Sequence, residues 1–243
     1  VLTAVVLVPV PPLLVPELAG GAAAETDDLR TACLRATRVL TDLASPWTSV
    51  GVHDTSCRLG PPTTGSWHGY GADVTVALGA GTETSSTELP GDLPLPALVA
   101  GWLRGQVAAE ASVDVRLTAA DASPQECAEQ GRALAAELAQ DPRPQGLLVL
   151  GDGCTTLTEK APGALDERAA ALQAELDHAL ATADCGALAA LDAQLCAELG
   201  ASGRVPWQVA AAAAAAAGDG WRTETLYRGA PYGVGYQVAT WQR

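Results

Sequence analysis

Few side chains in this 243-residue sequence have the types and spacing that chemistry requires. His53 is the first of them, an imidazole directly after a short apolar run, beside Asp54 and four residues before Cys57. An imidazole at a strand end can ligate a metal or move a proton. Cys57 could join it in a soft-metal pair, although two ligands on one loop hold a metal weakly. The second feature is the turn Gly151-Asp152-Gly153-Cys154-Thr155-Thr156. Backbone N–H groups and hydroxyls in such a turn can cradle an anion, and Asp152 joins His53 as a candidate catalytic group. The simpler alternative is a plain glycine turn in which Asp152 bonds its own backbone. Cys154 occupies a position where a nucleophile could sit, with no His near it in sequence to activate the thiol.

The remaining candidates are weaker. His68 lies in the aromatic glycine loop Ser66-Trp67-His68-Gly69-Tyr70 and could line a pocket. Glu159 and Lys160 precede Pro162 and read as a salt-bridged loop or a pocket edge. Tyr232, between Pro231 and Gly233, reads as a packed turn residue or as one reaching a ligand crevice. His178, beside Asp177 in a helical stretch, reads as a surface residue.

Strands alternating with helices must position these groups. Ala4 to Val8 is a continuous apolar run with β-branched residues and reads as a buried strand. Glu25 to Leu43 has helical periodicity. Thr48 to Val52 reads as a strand ending at His53. Gly60 to Tyr70 and Gly79 to Pro94 read as loops, with the strand Ala72 to Leu78 between them. A helix over Pro96 to Glu110 leads to the strand Ser112 to Leu117. Ser123, Pro124 and Glu126 form a capping-box signature for a helix to about Gln140. Gly146 to Leu150 is a second buried strand, and it runs into the Gly151 turn. Helices follow over Asp166 to Ala183, Cys185 to Leu199 and Pro206 to Ala217, then strands over Thr223 to Leu226 and Gly235 to Trp241. This order predicts one three-layer αβα domain over residues 1–243 with a mixed or mostly parallel sheet. Ligands in such sheets bind at the carboxyl ends of strands. Three strand ends therefore matter: Val8 leading to Val10, Val52 leading to His53, and Leu150 leading to Asp152.

Composition narrows the function classes. The formal charge is −14 and the arginines form no cluster, which argues against nucleic acid and against anionic membranes as partners. Phe and Met are absent, so the core must be Leu, Val and Ala with a few Trp. Six scattered cysteines without a C-x-x-C pair give neither a disulfide framework nor a zinc spacing. The N-terminal apolar run has no basic flank and is broken by Pro9, Pro11 and Pro12, so no secretory leader is expected. The alanine run Ala210 to Ala217 is too short to span a bilayer. A reducing cytoplasm is the expected location.

The segments VPVPPLLVPELAGGAAAE, GSWHGYGADVTV, LLVLGDGCTTLTEKAPGALDERAAA, GRVPWQVAAAAA and APYGVGYQVATW, spread over nearly the whole chain, carry a resemblance. The chain resembles the class III extradiol ring-cleavage dioxygenases of the catalytic B-subunit type, in an actinobacterial, alanine-rich, uncharacterised branch. The resemblance implies a mononuclear Fe(II) site, or a related divalent metal, at the strand ends. It implies one His ligand in the N-terminal loop, a second after the second strand, a catalytic His after a Gly-rich turn, and a Glu or His before a proline-containing helix. Two imidazoles and a carboxylate would leave iron open positions for catechol and oxygen. Matched by position, the N-terminal His falls on Val10, an aliphatic that neither binds metal nor moves a proton. The second falls on His53, which fits. The catalytic His falls near Thr156 or Leu157, and Gly203-Arg204-Val205-Pro206 holds neither Glu nor His.

Three readings follow. The first is a fold-preserving relative with a degenerate metal site, which binds a small molecule at the strand-end crevice without ring cleavage. Its pocket would draw on Val10, Cys57, His68, Gly151, Gly153, Cys154, Thr155, Glu159 and Tyr232, and it would need no cofactor. The second is an active non-haem metal enzyme with a rearranged set around His53, drawing on Glu17, Cys57, Asp152 or Glu159. The third is a non-catalytic interaction protein, such as a homodimer, whose sign would be exposed Trp or Leu on the Pro96 to Glu110 helix.

Overall fold

The first strand is apolar from Ala4 to Val8 because it is covered on both faces. In β1 (Leu2–Val8), Ala4, Val6 and Val8 enter one core, and Leu2, Val5 and Leu7 enter the other. The structure, a computed structural model, describes residues 1–22, 24–43, 47–81 and 92–243. After β1 come α1 (Pro16–Ala19), α2 (Asp27–Leu43), β2 (Trp47–His53), β3 (Cys57–Leu59), β4 (Thr64–Ser66), β5 (Thr75–Ala77) and α3 (Leu95–Val107). The second half holds β6 (Val113–Ala119), α4 (Pro124–Leu138), β7 (Gln145–Leu150), α5 (Ala169–Thr182), α6 (Cys185–Ala189), α7 (Ala193–Glu198), α8 (Arg204–Ala217), β8 (Arg222–Gly229) and β9 (Tyr236–Gln242).

Seven strands form one sheet in the order β3-β6-β2-β7-β1-β9-β8. The central β6, β2, β7 and β1 run parallel. The flanking β3 and β9 run antiparallel to the central four, and the edge strand β8 pairs antiparallel with β9. Helices α2 and α3 cover one face, where Leu29, Cys33, Ala36 and Leu40 meet Val6, Val8 and Leu148. Helices α4, α5 and α8 cover the other, around Leu147, Val149, Leu176 and Trp207. The fold is thus α/β in three layers with a mixed, mostly parallel sheet. No helix among the described residues is long and apolar enough to cross a membrane.

The alanine run of α8 has a structural use. A Cβ added to Gly131 of α4 would meet Ala212 Cβ at 2.6 Å and would press on the Val209 carbonyl. Small residues on both helices let their backbones approach closely along the middle of α8. Helix α4 begins with the capping box expected of its sequence. Ser123 Oγ accepts the Glu126 N–H at 3.2 Å, and Glu126 accepts the Ser123 N–H at 2.8 Å.

Several elements differ from expectation. The helix predicted over Cys185 to Leu199 is two helices, α6 and α7. Asp184 caps the first, accepting the Ala187 N–H at 2.9 Å, and Asp192 caps the second, accepting the Leu195 N–H at 2.8 Å. The predicted loop Gly60 to Tyr70 contains β4, which pairs with β5. Strand β3 is too short for a two-residue period to show. Of the predicted loop Gly79 to Pro94, residues 82–91 lie outside the described residues. Helix α3 ends at Val107 and is buried from Pro96 through Arg104, Trp102 and Leu103 included, so it offers no exposed apolar face.

Candidate functional site

Because β6, β2, β7 and β1 are parallel, their carboxyl ends open on one edge of the sheet. A crevice of about 550 Å³ lies there. Val10 follows β1, Val52 and His53 end β2, Ala120 follows β6, and Asp152 follows β7; all five line it. Leu93, Pro94, Leu95 and Pro96, at the start of α3, form an apolar wall. Asp54, Asp92, Tyr70 and Ser202 complete the lining.

Asp152 is the most strongly shaped group in this crevice. Leu150 ends β7, and the Gly151 N–H donates to the Val8 carbonyl at 3.2 Å, holding the turn against β1. A Cβ on Gly151 would lie 2.5 Å from Gly203 Cα, so only glycine allows the turn to meet the start of α8. The Asp152 carbonyl accepts the Gly203 N–H at 2.8 Å. Its carboxylate Oδ1 accepts the Val10 N–H at 2.8 Å. Burial pushes the Asp152 carboxyl up to about 7, against the opposing pull of that hydrogen bond. Beneath it, the Cys33 thiol and the Tyr236 phenol are raised by burial and further by the Asp152 charge.

The N–H groups of Gly153, Cys154 and Thr155 do not form an anion cradle. The Gly153 N–H donates to Gly235 O at 2.8 Å, Cys154 N–H to Gln173 Oε1 at 2.9 Å, and Thr155 N–H to Leu199 O at 3.0 Å. These donors are spent on the fold. Cys154 is fully buried in the α5/α8 core, and burial pushes its thiol up to about 12, which opposes a nucleophilic role. Gly151, Gly153, Cys154 and Thr155 thus shape the turn without lining the crevice.

The other predicted residues are dispersed. His53 is half-buried at the crevice, and its carbonyl accepts the Ala120 N–H at 3.0 Å. Cys57 begins β3, opposite Leu117, and does not line the crevice. His68 is exposed, with Nδ1 3.1 Å from Ser66 Oγ and 3.6 Å from Asp73 Oδ1. Its neighbour Tyr70 lines the crevice and meets Trp67 edge-on at 5.4 Å. Glu159 and Tyr232 border a separate hollow with Lys160, and the Tyr232 hydroxyl donates to Glu25 at 2.9 Å. His178 lies on α5 and lines none of these hollows.

Among the described residues, no three His, Cys, Asp or Glu side chains come together to hold a metal ion. The donors therefore do not fit a two-imidazole, one-carboxylate iron centre, and the set of His53 with Glu17, Cys57, Asp152 or Glu159 does not assemble. Sequence reasoning did not identify Tyr70, Asp92, the Leu93–Pro96 wall or Ser202 as lining residues. The paired prolines Pro94 and Pro96 before a helix were a usable signal for a rigid wall at a strand-end edge.

No family model and no curated protein matches this chain. Among the solved structures to which the chain is similar is one matched over 99% of this chain and 100% of the other at a TM-score of 0.54. That protein is uncharacterized protein JW3007 from Escherichia coli K12, 12% identical in sequence, and the likeness extends to the fold alone.

Proposed function

We propose that this chain binds a small organic molecule in the strand-end crevice, and does so without the iron centre of the extradiol dioxygenases it resembles. The observation that carries the reading is the contact between Val10 and Asp152. Where the resemblance implies the first imidazole ligand, the chain supplies an aliphatic wall and a backbone N–H, and that N–H orients a carboxyl. A crevice of about 550 Å³ falls in the range that holds small ligands. Val10, Val52, Leu93 and Pro96 offer apolar area, while Asp152, His53 and Ser202 offer polar groups to fix orientation. With its carboxyl raised to about 7, Asp152 has both protonation states within reach near neutral pH. It can therefore donate to a ligand oxygen or accept from a ligand N–H or O–H.

Saturation-transfer NMR tests this with a panel of neutral aromatic amides and phenols. The expected result is a subset of binders that Asp152→Asn weakens and Val10→Trp excludes. Asn keeps an oxygen for the Val10 N–H, so the turn survives the change. A panel without binders, or binders indifferent to both substitutions, would sink the reading.

A further inference from the structure

A second cavity of about 230 Å³ adjoins the crevice and shares Val52, Ala120 and Ser202 with it. Arg204 lines this side cavity, and only 5% of it is exposed. Its Nη1 donates to the Ala122 carbonyl at 2.8 Å and to Gln208 Oε1 at 3.1 Å, and its Nη2 donates to the Ala120 carbonyl at 3.0 Å. These bonds orient the guanidinium, but every acceptor is neutral. No carboxylate among the described residues pairs with it. A buried charge without a counter-charge is costly. The position adds to that cost, because a cation in the first turn of α8 opposes the helix dipole.

The other two buried arginines have different surroundings. Arg30 pairs with Asp27 at 3.1 Å. Arg104 donates to the carbonyls of Ala77, Ala109 and Ala111, and it lies more than two turns further along α3 from the crevice wall. Arg204 alone among the three combines a missing counter-charge with a cavity that adjoins the crevice.

We infer that the side cavity is an anion subsite, in which Arg204 receives the carboxylate of a ligand whose body lies in the crevice. The inference rests on the small-molecule reading above and names the class of ligand. A carboxylate suits this guanidinium, because the Ala120 carbonyl leaves one Nη2 N–H for a charge-assisted bond. A phosphate dianion would call for a second cation, and no other Lys or Arg lines either cavity. Ala193, Ala197, Ala201 and Val205 keep the remaining walls small and apolar, which suits a short arm. Asp54 and Asp92 do not forbid an anion there, because both are exposed at the crevice mouth and screened by solvent, and Asp152 lines the crevice but not the side cavity.

Matched acid and amide ligands test this on the full chain: benzoate with benzamide, phenylacetate with phenylacetamide, and 3-phenylpropionate with 3-phenylpropanamide. Titration calorimetry at pH 7.5 is expected to show at least one acid binding tenfold or more tightly than its amide. Arg204→Gln is expected to abolish that preference, and Arg204→Lys to retain part of it. Arg204 also holds two carbonyls, so Ser202→Leu provides a second route. Ser202 is exposed on the rim shared by the two cavities, and a leucine there is expected to reduce the preference at least fivefold with Arg204 intact. Equal binding of acid and amide in all three pairs overturns the inference and leaves the crevice reading standing. A preference that survives both Arg204→Gln and Ser202→Leu also overturns it. Absence of binding by all six compounds overturns both the inference and the reading beneath it.

Discussion

The Val10 backbone N–H donates to Asp152 Oδ1 at 2.8 Å, joining the loop after β1 to the turn after β7. These two strands are paired in parallel, and their partner residues Val8 and Leu150 end side by side. The hydrogen bond therefore spans one strand spacing and fixes the carboxyl over the sheet edge. It stabilises the charged form, while burial disfavours that form and wins. The result is a carboxyl that titrates near neutrality in a crevice.

The raised carboxyl makes stability depend on pH. The unfolded chain releases the Asp152 proton near the ordinary 3.8, and the folded chain holds it to about 7. Between those values the folded state binds more protons, so stability falls as pH rises. Asp152→Asn removes this dependence. Urea unfolding at pH 4.5 and 7.5 is expected to show a variant gaining stability relative to the parent at the higher pH, by up to about 3 kcal/mol. A parent and variant with parallel pH profiles would contradict the assignment.

Cysteine reactivity should follow burial. Cys33, Cys127, Cys154 and Cys196 are buried, and Cys57 and Cys185 are partly exposed. Burial pushes Cys154 to about 12 and Cys196 to about 11, and raises Cys127 and Cys185 as well. At pH 8 a thiol of pKa near 12 is thiolate in roughly one molecule in ten thousand. Labelling with a disulfide reagent and peptide mass mapping is expected to find Cys57 modified first and Cys154 untouched until the chain unfolds. Early labelling of Cys154 would return it to consideration as a nucleophile.

Much of this architecture was legible in the sequence because local signals agreed with the fold. The apolar runs Ala4 to Val8 and Gly146 to Leu150 mark strands buried on both faces, and Ser123 with Glu126 marks the start of α4. The site was legible at its strand ends, at Val10, His53 and Asp152. The roles were harder to read. The Gly153 and Thr155 N–H groups are consumed by Gly235 and Leu199, partners 82 and 44 residues away that no local pattern reveals. Cys57 and His53 are near in sequence, yet only His53 lines the crevice. Arg204 carried a readable signal, since a cation at the start of an alanine helix opposes the dipole and calls for a reason.

The approach of the Gly151 turn to α8 allows no side chain. Gly151→Ala would place a Cβ 2.5 Å from Gly203 Cα, a backbone atom that cannot rotate away. The expected cost is about 1–3 kcal/mol. It is measured as a lower denaturation midpoint with an unchanged slope, together with weaker crevice binding because Asp152 shifts. Unchanged stability would contradict a close approach of the turn to Gly203.

The capping box at α4 provides a contrasting case. Ser123→Ala removes the acceptor for the Glu126 N–H and is expected to cost about 1 kcal/mol. Asp152 lies outside that cap, so the affinity of a neutral crevice ligand measured on the folded variant should match the parent. A loss of affinity larger than twofold would show that α4 sets the crevice geometry.

The most direct test of the central claim is calorimetric titration of the crevice ligands into chain treated with EDTA, repeated after adding back Fe(II) or Zn(II). The expected result is the same affinity in both samples and weaker binding by Asp152→Asn, because a carboxyl and apolar walls hold the ligand. Binding that vanishes with the chelator and returns with either metal, and that also requires His53, would contradict it.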